Sequence, residues 1–374
     1  MRWTNQQLDQ TSLEQANVPT TAPLLPLAGL LKSVQTPEFA GITFHEVLSK
    51  SALNKVPATS SMPFEWTVNP YRGCSHACVY CFARKSHSYL DFDSGVDFDS
   101  QVVVKVNLAQ VLRKELFKPS WRRHHVALGT NTDPYQRAEG RYQLMPGIIA
   151  ALADSGTPFS ILSKGTLLAR DIPLLAQAGK QVSVGMGVSL ALLDEKLATA
   201  IEPGTPSPKA RLALISKLRD AGLPCGVMAM PILPWLSDSE EDLDALFAAL
   251  AAAGATGVSA GALFLRPGTR EWFMQWLAKE HPKLVGPYRR LYGTGAYAHE
   301  DYRKWLAARV EAAKARHGFG GGAGFIPDPR QEESVYPAGS MPEINFRAIG
   351  GAQKAGASMS TPAFATITAE PTLF

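Results

Sequence analysis

Three of the four cysteines in this chain, Cys74, Cys78 and Cys81, stand together in one short segment. In a chain of 374 residues such a C-x3-C-x2-C group indicates a metal or redox site rather than a disulfide framework. Thiolates are soft ligands that select zinc, copper(I) or iron–sulfur clusters. The spacing therefore predicts a thiolate-ligated site within a single loop.

Three thiolates without a second cysteine pair leave the nature of this site open. A structural zinc ion needs four ligands, and His76 would have to be the fourth, although a short loop has difficulty aiming it at the same ion. A four-iron cubane held by three thiolates leaves one iron open to a ligand with nitrogen and oxygen donors. Arg72, Arg84 and Lys85 add positive charge that would offset an anionic cluster. The cluster accounts better for the motif, and a zinc knuckle or three unrelated thiols is the alternative.

The cysteine loop directly follows the first of six segments that are typical of buried strands. These segments are small and apolar throughout, as in a parallel sheet covered on both faces, and helical segments alternate with them. The predicted strands are residues 64–68, 125–129, 159–163, 182–188, 226–232 and 257–265. The clearest helix has Ser207 as its N-cap, Pro208 at its first position and Gly222 as its stop. An open doubly wound sheet and a barrel both fit this alternation, and both place their chemistry at the carboxyl ends of the strands.

The composition excludes several classes of protein. With 45% hydrophobic residues the chain can bury a sizeable core, which excludes a wholly disordered chain. The net charge of +4 is too balanced to establish a nucleic-acid partner. The apolar run 245–265 is mostly Ala and Gly and is interrupted at Gly254 and Gly257, which favours a helix, a turn and a strand over a membrane span. Without a secretory signal, and with unpaired thiols, we expect a cytoplasmic protein without membrane contact.

The chain divides into four parts on these patterns. Residues 1–60 lack strong periodicity and contain several prolines, which predicts a loosely structured N-terminal arm in which 42–52 docks as a helix. Residues 61–275 contain the alternating strands and helices. We expect a helical extension over 276–317 and a flexible, disordered tail over 318–374, which is rich in Pro, Ser, Ala and Gly.

The cysteine motif, with Tyr80 just before its last cysteine, resembles that of the radical S-adenosylmethionine (SAM) superfamily. Further segments are similar to the spore photoproduct lyase-like branch, including its actinobacterial members. They are GTNTDPYQRAEGRY (129–142), LSKG (162–165), IEPGTPSPKARL (201–212) and AGLPCGVMAMPILPWLSDS (221–239). The resemblance covers about residues 40–275.

This resemblance implies an α/β fold, a partial (β/α)6 TIM-type barrel, and so selects the barrel from the two architectures. It implies a [4Fe-4S] cluster on Cys74, Cys78 and Cys81 that binds SAM at its open iron. Reductive cleavage of SAM then yields a 5′-deoxyadenosyl radical that abstracts hydrogen from a substrate. An external electron donor of the flavodoxin or ferredoxin type is implied as well. The alternatives are a non-catalytic iron–sulfur protein and a zinc-stabilised interaction module.

The resemblance does not specify the substrate. A nucleic acid is one candidate, as for a radical-based DNA lesion lyase. The lyase of this branch that repairs spore DNA uses an additional cysteine near the end of strand two as a hydrogen donor. Residues 128–131 of this chain hold no cysteine, which puts repair by that route in doubt. Cys225, the remaining thiol, is expected to be a small core residue.

Several cofactor contacts follow from the resemblance near the cysteine loop and strand two. Tyr80 matches a residue that packs near the adenine, and an ordinary core tyrosine is its alternative. Thr130 and Asn131 end strand two, where the family places groups that bind the amino end of SAM. Residues of these two types also cap helices without any ligand.

Further contacts follow strands three and four. Lys164 matches a lysine that binds the SAM carboxylate, and Ser189 matches a serine that serves the ribose or the carboxylate. Glu202 and Arg211 either reach the cofactor or pair with each other on the surface, and we assign Arg211 as the cofactor contact.

A polar segment after strand two and the last residues of the chain give two further expectations. A polar group after strand two, Asp133 to Arg141, either contacts substrate or caps and pairs near a helix start. The last residues, Leu373 and Phe374, resemble peptides that dock on the bacterial sliding clamp, although the usual Gln is missing.

Overall fold

The computed structural model describes residues 27–319 except 58, 59 and 61, so the predicted tail from residue 320 onward, with its terminal Leu373 and Phe374, lies outside the described residues. The strands are β1 (Leu30–Val34), β2 (Thr43–Val47), β3 (Leu53–Lys55), β4 (Trp66–Val68), β5 (Tyr71–Arg72), β6 (Gln101–Lys105), β7 (Val126–Leu128), β8 (Phe159–Ser163), β9 (Val184–Ser189), β10 (Cys225–Ile232) and β11 (Gly257–Ala262). The α-helices are α1 (Val96–Ser100), α2 (Leu108–Leu116), α3 (Arg137–Tyr142), α4 (Leu144–Asp154), α5 (Ile172–Ala178), α6 (Glu195–Ile201), α7 (Pro208–Asp220), α8 (Glu240–Ala253), α9 (Thr269–Glu280), α10 (Val285–Tyr292) and α11 (Glu300–Arg316). Short 3-10 helices cover Pro37–Phe39, Phe82–Leu90, Thr166–Asp171 and Pro282–Leu284.

The main sheet has the strand order β11-β10-β9-β8-β7-β4-β3. All pairings from β4 through β11 are parallel, and β3 adds an antiparallel edge. The parallel strands follow one another in chain order, so the sheet lacks the reversal that marks a doubly wound sheet. Right-handed crossovers then place the connecting helices on one side of the sheet. This is the partial (β/α)6 arrangement, and the predicted fold class is confirmed.

Local sequence signals explain where the helices of this barrel begin. The Ser207 hydroxyl accepts a hydrogen bond from the Ala210 amide at 3.2 Å, and Pro208 opens α7. Ser239 caps α8 in the same way through the Asp242 amide at 3.0 Å. In each case the side-chain oxygen satisfies an amide that the helix leaves free.

A second sheet, with the order β1-β2-β6-β5, is built in part from the N-terminal arm. The helix expected over 42–52 is wrong, because Thr43–Val47 is strand β2, antiparallel to β1 and parallel to β6. Phe44 packs into the main core and Val47 into a separate apolar cluster, so apolar neighbours cover both faces of this strand. At the other edge, β5 leads straight into the cysteine loop.

The helices after β11 lie near the same loop. Phe273 of α9 and Tyr288 of α10 share one buried cluster with Cys78 and Tyr80. These aromatic residues therefore cover one side of the cysteine loop, on the flank of the barrel. Within residues 27–319, gaps aside, no helix combines the length and the apolar character that a bilayer crossing requires.

Candidate active site

Gly73 makes the sharp entry from β5 into the cysteine loop. Its φ of +78° is a left-handed conformation, and a Cβ there would lie 2.8 Å from the carbonyl oxygen of Gln101. Only glycine meets both conditions without strain. The next amide, that of Cys74, donates to the Phe98 carbonyl at 2.9 Å. The loop is thus held against α1 from its first cysteine.

Arg84 holds the middle of the loop from one side. Its side chain is fully buried, and its Nε and Nη2 donate to the Cys78 carbonyl at 3.1 and 2.9 Å. Nη2 also pairs with Asp99 at 2.9 Å, and the guanidinium lies over the rings of Phe98 and Trp272. The positive charge expected beside the loop is therefore present at Arg84, where it also orders the backbone.

The opposite side of the loop is held by residues that follow strands and helices of the barrel. The Gln136 side chain accepts from the Ser75 amide at 2.9 Å and donates to the Gly73 carbonyl at 3.0 Å. The Gly204 amide donates to the His76 carbonyl at 3.0 Å, and a Cβ on Gly204 would overlap the Ser75 carbonyl. Gly204 is thus required for close contact between two backbones.

The polar group after strand two proves to be largely internal. Asp133 lies 3.4 Å from the His76 ring. Burial would lower the pKa of His76, but the Asp133 charge raises it to about 10. Glu139 is fully buried and accepts from Tyr71 at 2.6 Å and from Arg170 at 2.7 Å. These contacts hold the cysteine loop and the strand before it in place. The geometry therefore favours pairing within the protein over substrate contact for Asp133 and Glu139.

The three thiols of the loop are free, with Cys74 and Cys78 buried and Cys81 partly exposed. Burial, together with the Glu202 charge, raises the pKa of Cys78, and burial raises the pKa of Cys81 to about 11. Bare thiolates are therefore disfavoured, and metal coordination is what stabilises them in such surroundings. Among the described residues no three His, Cys, Asp or Glu side chains converge on a point that could hold one metal ion. The thiolates of a cubane bind different irons and need not converge, so this donor set fits a cluster.

Lys164, directly after β8, joins three elements beside this loop. Its Nζ donates to the Ser189 hydroxyl at 2.8 Å, to the Glu202 carboxylate at 2.9 Å and to the Tyr80 hydroxyl at 3.2 Å. The charges of Lys164 and Glu202 both act on the pKa of Cys78, in opposite directions. Three of the expected cofactor contacts therefore meet in one network next to the cluster ligand.

Glu202 is the centre of this network, and sequence reasoning passed over it in favour of Arg211. Arg211 is fully buried behind it, with Nη2 2.7 Å from the carboxylate and Nη1 donating to the Ser189 carbonyl at 3.0 Å. Burial would raise the pKa of Glu202, but the charges of Lys164 and Arg211 outweigh it and hold that pKa well below its usual range. The alternative of a surface pair is wrong, because both side chains are buried. Arg211 supports Glu202, and Glu202 is the member of the pair that contacts Lys164 and Tyr80.

The Tyr80 hydroxyl donates a hydrogen bond to the Glu202 carboxylate. Burial and the Glu202 charge raise the pKa of Tyr80 well above its usual value, so the phenol stays protonated. Thr130 and Asn131 stand half-buried after β7 and do not join the Lys164 network. Cys225 is fully buried at the opposite end of β10 from this site, as a core residue would be.

Relatives of this chain include an uncharacterised protein of Mycobacterium tuberculosis that is 60% identical over 315 residues, which cover 84% of this chain and 92% of the relative. An uncharacterised protein of Methanocaldococcus jannaschii is 27% identical over 195 residues, with 52% of this chain and 71% of the relative covered.

The fold is similar to that of spore photoproduct lyase. One mutant of that enzyme matches with a TM-score of 0.56 and 18% identity, over 74% of this chain and 80% of that chain. Another, with bound S-adenosylmethionine and dinucleoside spore photoproduct, matches with a TM-score of 0.55 and 15% identity, over 76% and 80% of the two chains.

A family model described as the radical SAM superfamily matches residues 68–247. The matched residues include the whole cysteine loop and the barrel from β7 through β10, and so every residue of the Lys164 network. The chain therefore belongs to the radical SAM superfamily and is an enzyme that uses a [4Fe-4S] cluster and S-adenosylmethionine.

Proposed function

We propose that Lys164, Ser189, Glu202 and Tyr80 form the wall that holds SAM against a cluster bound by the three loop cysteines. The observation that carries this proposal is the Lys164 network itself. It lies at the carboxyl ends of β8 and β9, where barrels of this kind place their chemistry, and it borders Cys78. When bound, the cluster and SAM supply a carbon-centred radical that removes a hydrogen atom from the substrate.

Lys164 is suited to bind a carboxylate. Each of its three N–H groups already has an acceptor, and two of these acceptors, on Tyr80 and Ser189, are neutral hydroxyls. A carboxylate forms a stronger, charge-assisted hydrogen bond than a hydroxyl, so an incoming carboxylate can replace one of them. The hydrogen bond between Lys164 and Glu202 stays in place, because Arg211 holds the Glu202 carboxylate through its other oxygen.

The chain also shields this site from water. Phe273, Leu277 and Tyr288 are buried against the cysteine loop, and the Tyr288 hydroxyl is occupied by the Pro234 carbonyl at 2.9 Å. Radical chemistry needs such shielding, because a reactive intermediate is lost when solvent reaches it.

Replacement of Lys164 by methionine tests the proposal. We expect the Lys164→Met variant to bind iron and sulfide like the wild type but to bind SAM about 10-fold to 100-fold more weakly, since one charge-assisted hydrogen bond is lost. Anaerobic equilibrium dialysis with SAM measures the affinity, and iron analysis measures the cluster. Lys196→Met, at an exposed lysine of α6, is the matched control. Unchanged affinity in Lys164→Met would contradict the assigned role of Lys164.

A nucleic-acid substrate is the second part of the proposal, as in a DNA lesion lyase. It is favoured by aromatic side chains that stand exposed beyond the carboxyl ends of β10 and β11. Trp235 is 50% exposed, and its amide is tied to Asp238 at 2.9 Å. Tyr297 is 48% exposed. Its ring centroid lies 4.6 Å from that of Phe264, and the Arg303 guanidinium lies over the Tyr297 ring at 5.7 Å from its centroid. Bases stack on such aromatic surfaces without sequence preference.

The Trp235→Ala variant tests the second part. We expect it to bind a short single-stranded oligonucleotide at least about 5-fold more weakly, because base–aromatic stacking contributes about 1 kcal/mol or more per base. Fluorescence anisotropy at fixed salt measures this affinity. The control is Tyr89→Ala, which removes another exposed aromatic side chain, 63% accessible, outside the strand ends. Equal weakening in both variants, or in neither, would argue against the aromatic surface as a nucleic-acid contact.

Partners and location complete the proposal. We propose an external electron donor of the flavodoxin or ferredoxin type, because the cluster needs reduction. The four free cysteines favour a reducing compartment, and we propose the cytoplasm. Docking of Leu373 and Phe374 on the sliding clamp stays a prediction from sequence, since these residues are outside the described part of the chain.

A further inference from the structure

Within the part of the chain that the structure describes, two cations of the second sheet stand side by side without an acidic side chain as partner. Arg72 of β5 pairs with Val103 of β6, and Lys105 follows Val103 by two residues, so Arg72 and Lys105 project from the same face of the sheet. Lys105 is only 7% exposed. Among the residues that the structure describes, neither side chain has a hydrogen bond or an ion pair. This site is separate from the Lys164 network, although Arg72 is next to Gly73.

The other described groups on this face supply no negative charge. Val47, Leu90 and Phe92 are apolar. His45 and His87 are engaged by the Gln101 side chain and the Gln101 carbonyl, each at 2.9 Å. Burial lowers the pKa of both histidines to about 4, so both are neutral at pH 7.

Among the described residues, no carboxylate acts on the charge of Lys105. Burial, followed by the Arg72 charge, lowers the pKa of Lys105 to about 7, and no acidic group of the described chain opposes this. Asp93 acts on His87, not on Lys105. A buried ammonium without a partner is unfavourable, and one next to a guanidinium is more so. A bound anion would remove both penalties.

We infer that Arg72 and Lys105 form a binding site for a phosphate group, either inorganic phosphate or a phosphomonoester. Two cations match the charge of about −1.5 to −2 that a phosphate monoester carries at neutral pH. The guanidinium fork suits two oxygens of one phosphate, and an ammonium adds a point charge. Because β5 runs directly into the cysteine loop, an occupied site would brace the strand from which the cluster ligands begin.

Thermal unfolding of the anaerobically reconstituted protein tests this inference. Phosphate is titrated at constant ionic strength against chloride. We expect saturating phosphate to raise the Tm of the wild type by about 5 °C, since a ligand that binds only the native state stabilises it. Lys105→Met should lose this rise, and without phosphate its Tm should equal or exceed that of the wild type, because a lone buried cation has been removed.

Three further variants separate the effect of charge on phosphate binding from a general effect on stability. Lys105→Arg keeps the charge and should keep the phosphate response, whereas Arg72→Gln should weaken phosphate binding by at least about 10-fold. Lys283→Met, at an exposed lysine, should respond like the wild type. A parallel titration with AMP distinguishes the sources: equal rises identify the phosphate group alone, and a larger rise with AMP identifies a nucleotide. No rise in the wild type, or an equal rise in Lys105→Met, would overturn the inference.

Discussion

The Cys78→Ala variant is expected to lose its cluster and, with it, all release of 5′-deoxyadenosine from SAM. Two thiolates cannot replace three, and the Cys78 thiol is the one that borders both Lys164 and Glu202. The measurement is iron and sulfide content after anaerobic reconstitution, followed by chromatographic detection of 5′-deoxyadenosine with SAM and a reductant. We expect both signals to fall to background.

Cys225→Ala is the matched control for this experiment. It removes an equally buried thiol, but at the start of β10 rather than in the cysteine loop. It should keep full cluster content and turnover, with a modest loss of stability from the smaller side chain. Retained turnover in Cys78→Ala, or equal loss of cluster in both variants, would refute ligation by the loop. Stoichiometric zinc without sulfide in the wild type would refute the cluster itself.

Glu202→Gln is expected to lower the free energy of unfolding by about 3 kcal/mol or more at pH 7. The carboxylate is buried between Lys164 and Arg211, at 2.9 and 2.7 Å, and a neutral amide leaves both cations without their counter-charge. Urea denaturation measures the change. Glu280→Gln is the control, since it makes the same substitution in an exposed pair with Lys279 and should cost less than about 1 kcal/mol.

The pH dependence gives this prediction a second readout. The pKa of Glu202 in the folded chain lies well below its usual 4.5, because the two cations outweigh burial. Its contribution to stability is therefore fully present above about pH 5 and is lost as the pH falls through the folded pKa. The stability difference between wild type and Glu202→Gln should narrow on acidification. A stability difference under about 1 kcal/mol at pH 7, or one that does not change with pH, would show that the Glu202 carboxylate does not stabilise the fold as the counter-charge of Lys164 and Arg211.

The features of the site that depend on short segments of the chain could be predicted from the sequence. The cysteine spacing, the cap at Ser207 and the positions of Lys164 and Ser189 after their strands all follow from short segments.

Contacts across the fold could not be predicted in this way. Glu202 meets Lys164 only because α6 returns its end to the carboxyl edge of the barrel, and a surface pair was an equally good interpretation of Glu202 and Arg211 beforehand. The Arg84 clamp on the Cys78 carbonyl depends on a 3-10 helix whose course has no clear sequence signal. Strand β2 could not be predicted from its own segment, because its pairing partners, β1 and β6, are supplied from elsewhere in the chain.

Local spacing and runs of apolar residues were enough to predict a thiolate-ligated site and the number of barrel strands. Strand order, the second sheet and the buried charges around Lys164 and Lys105 were decided only by the tertiary structure. Burial and charge pairing depend on which distant segments of the chain come together. A residue's pKa and partners are therefore properties of the folded chain.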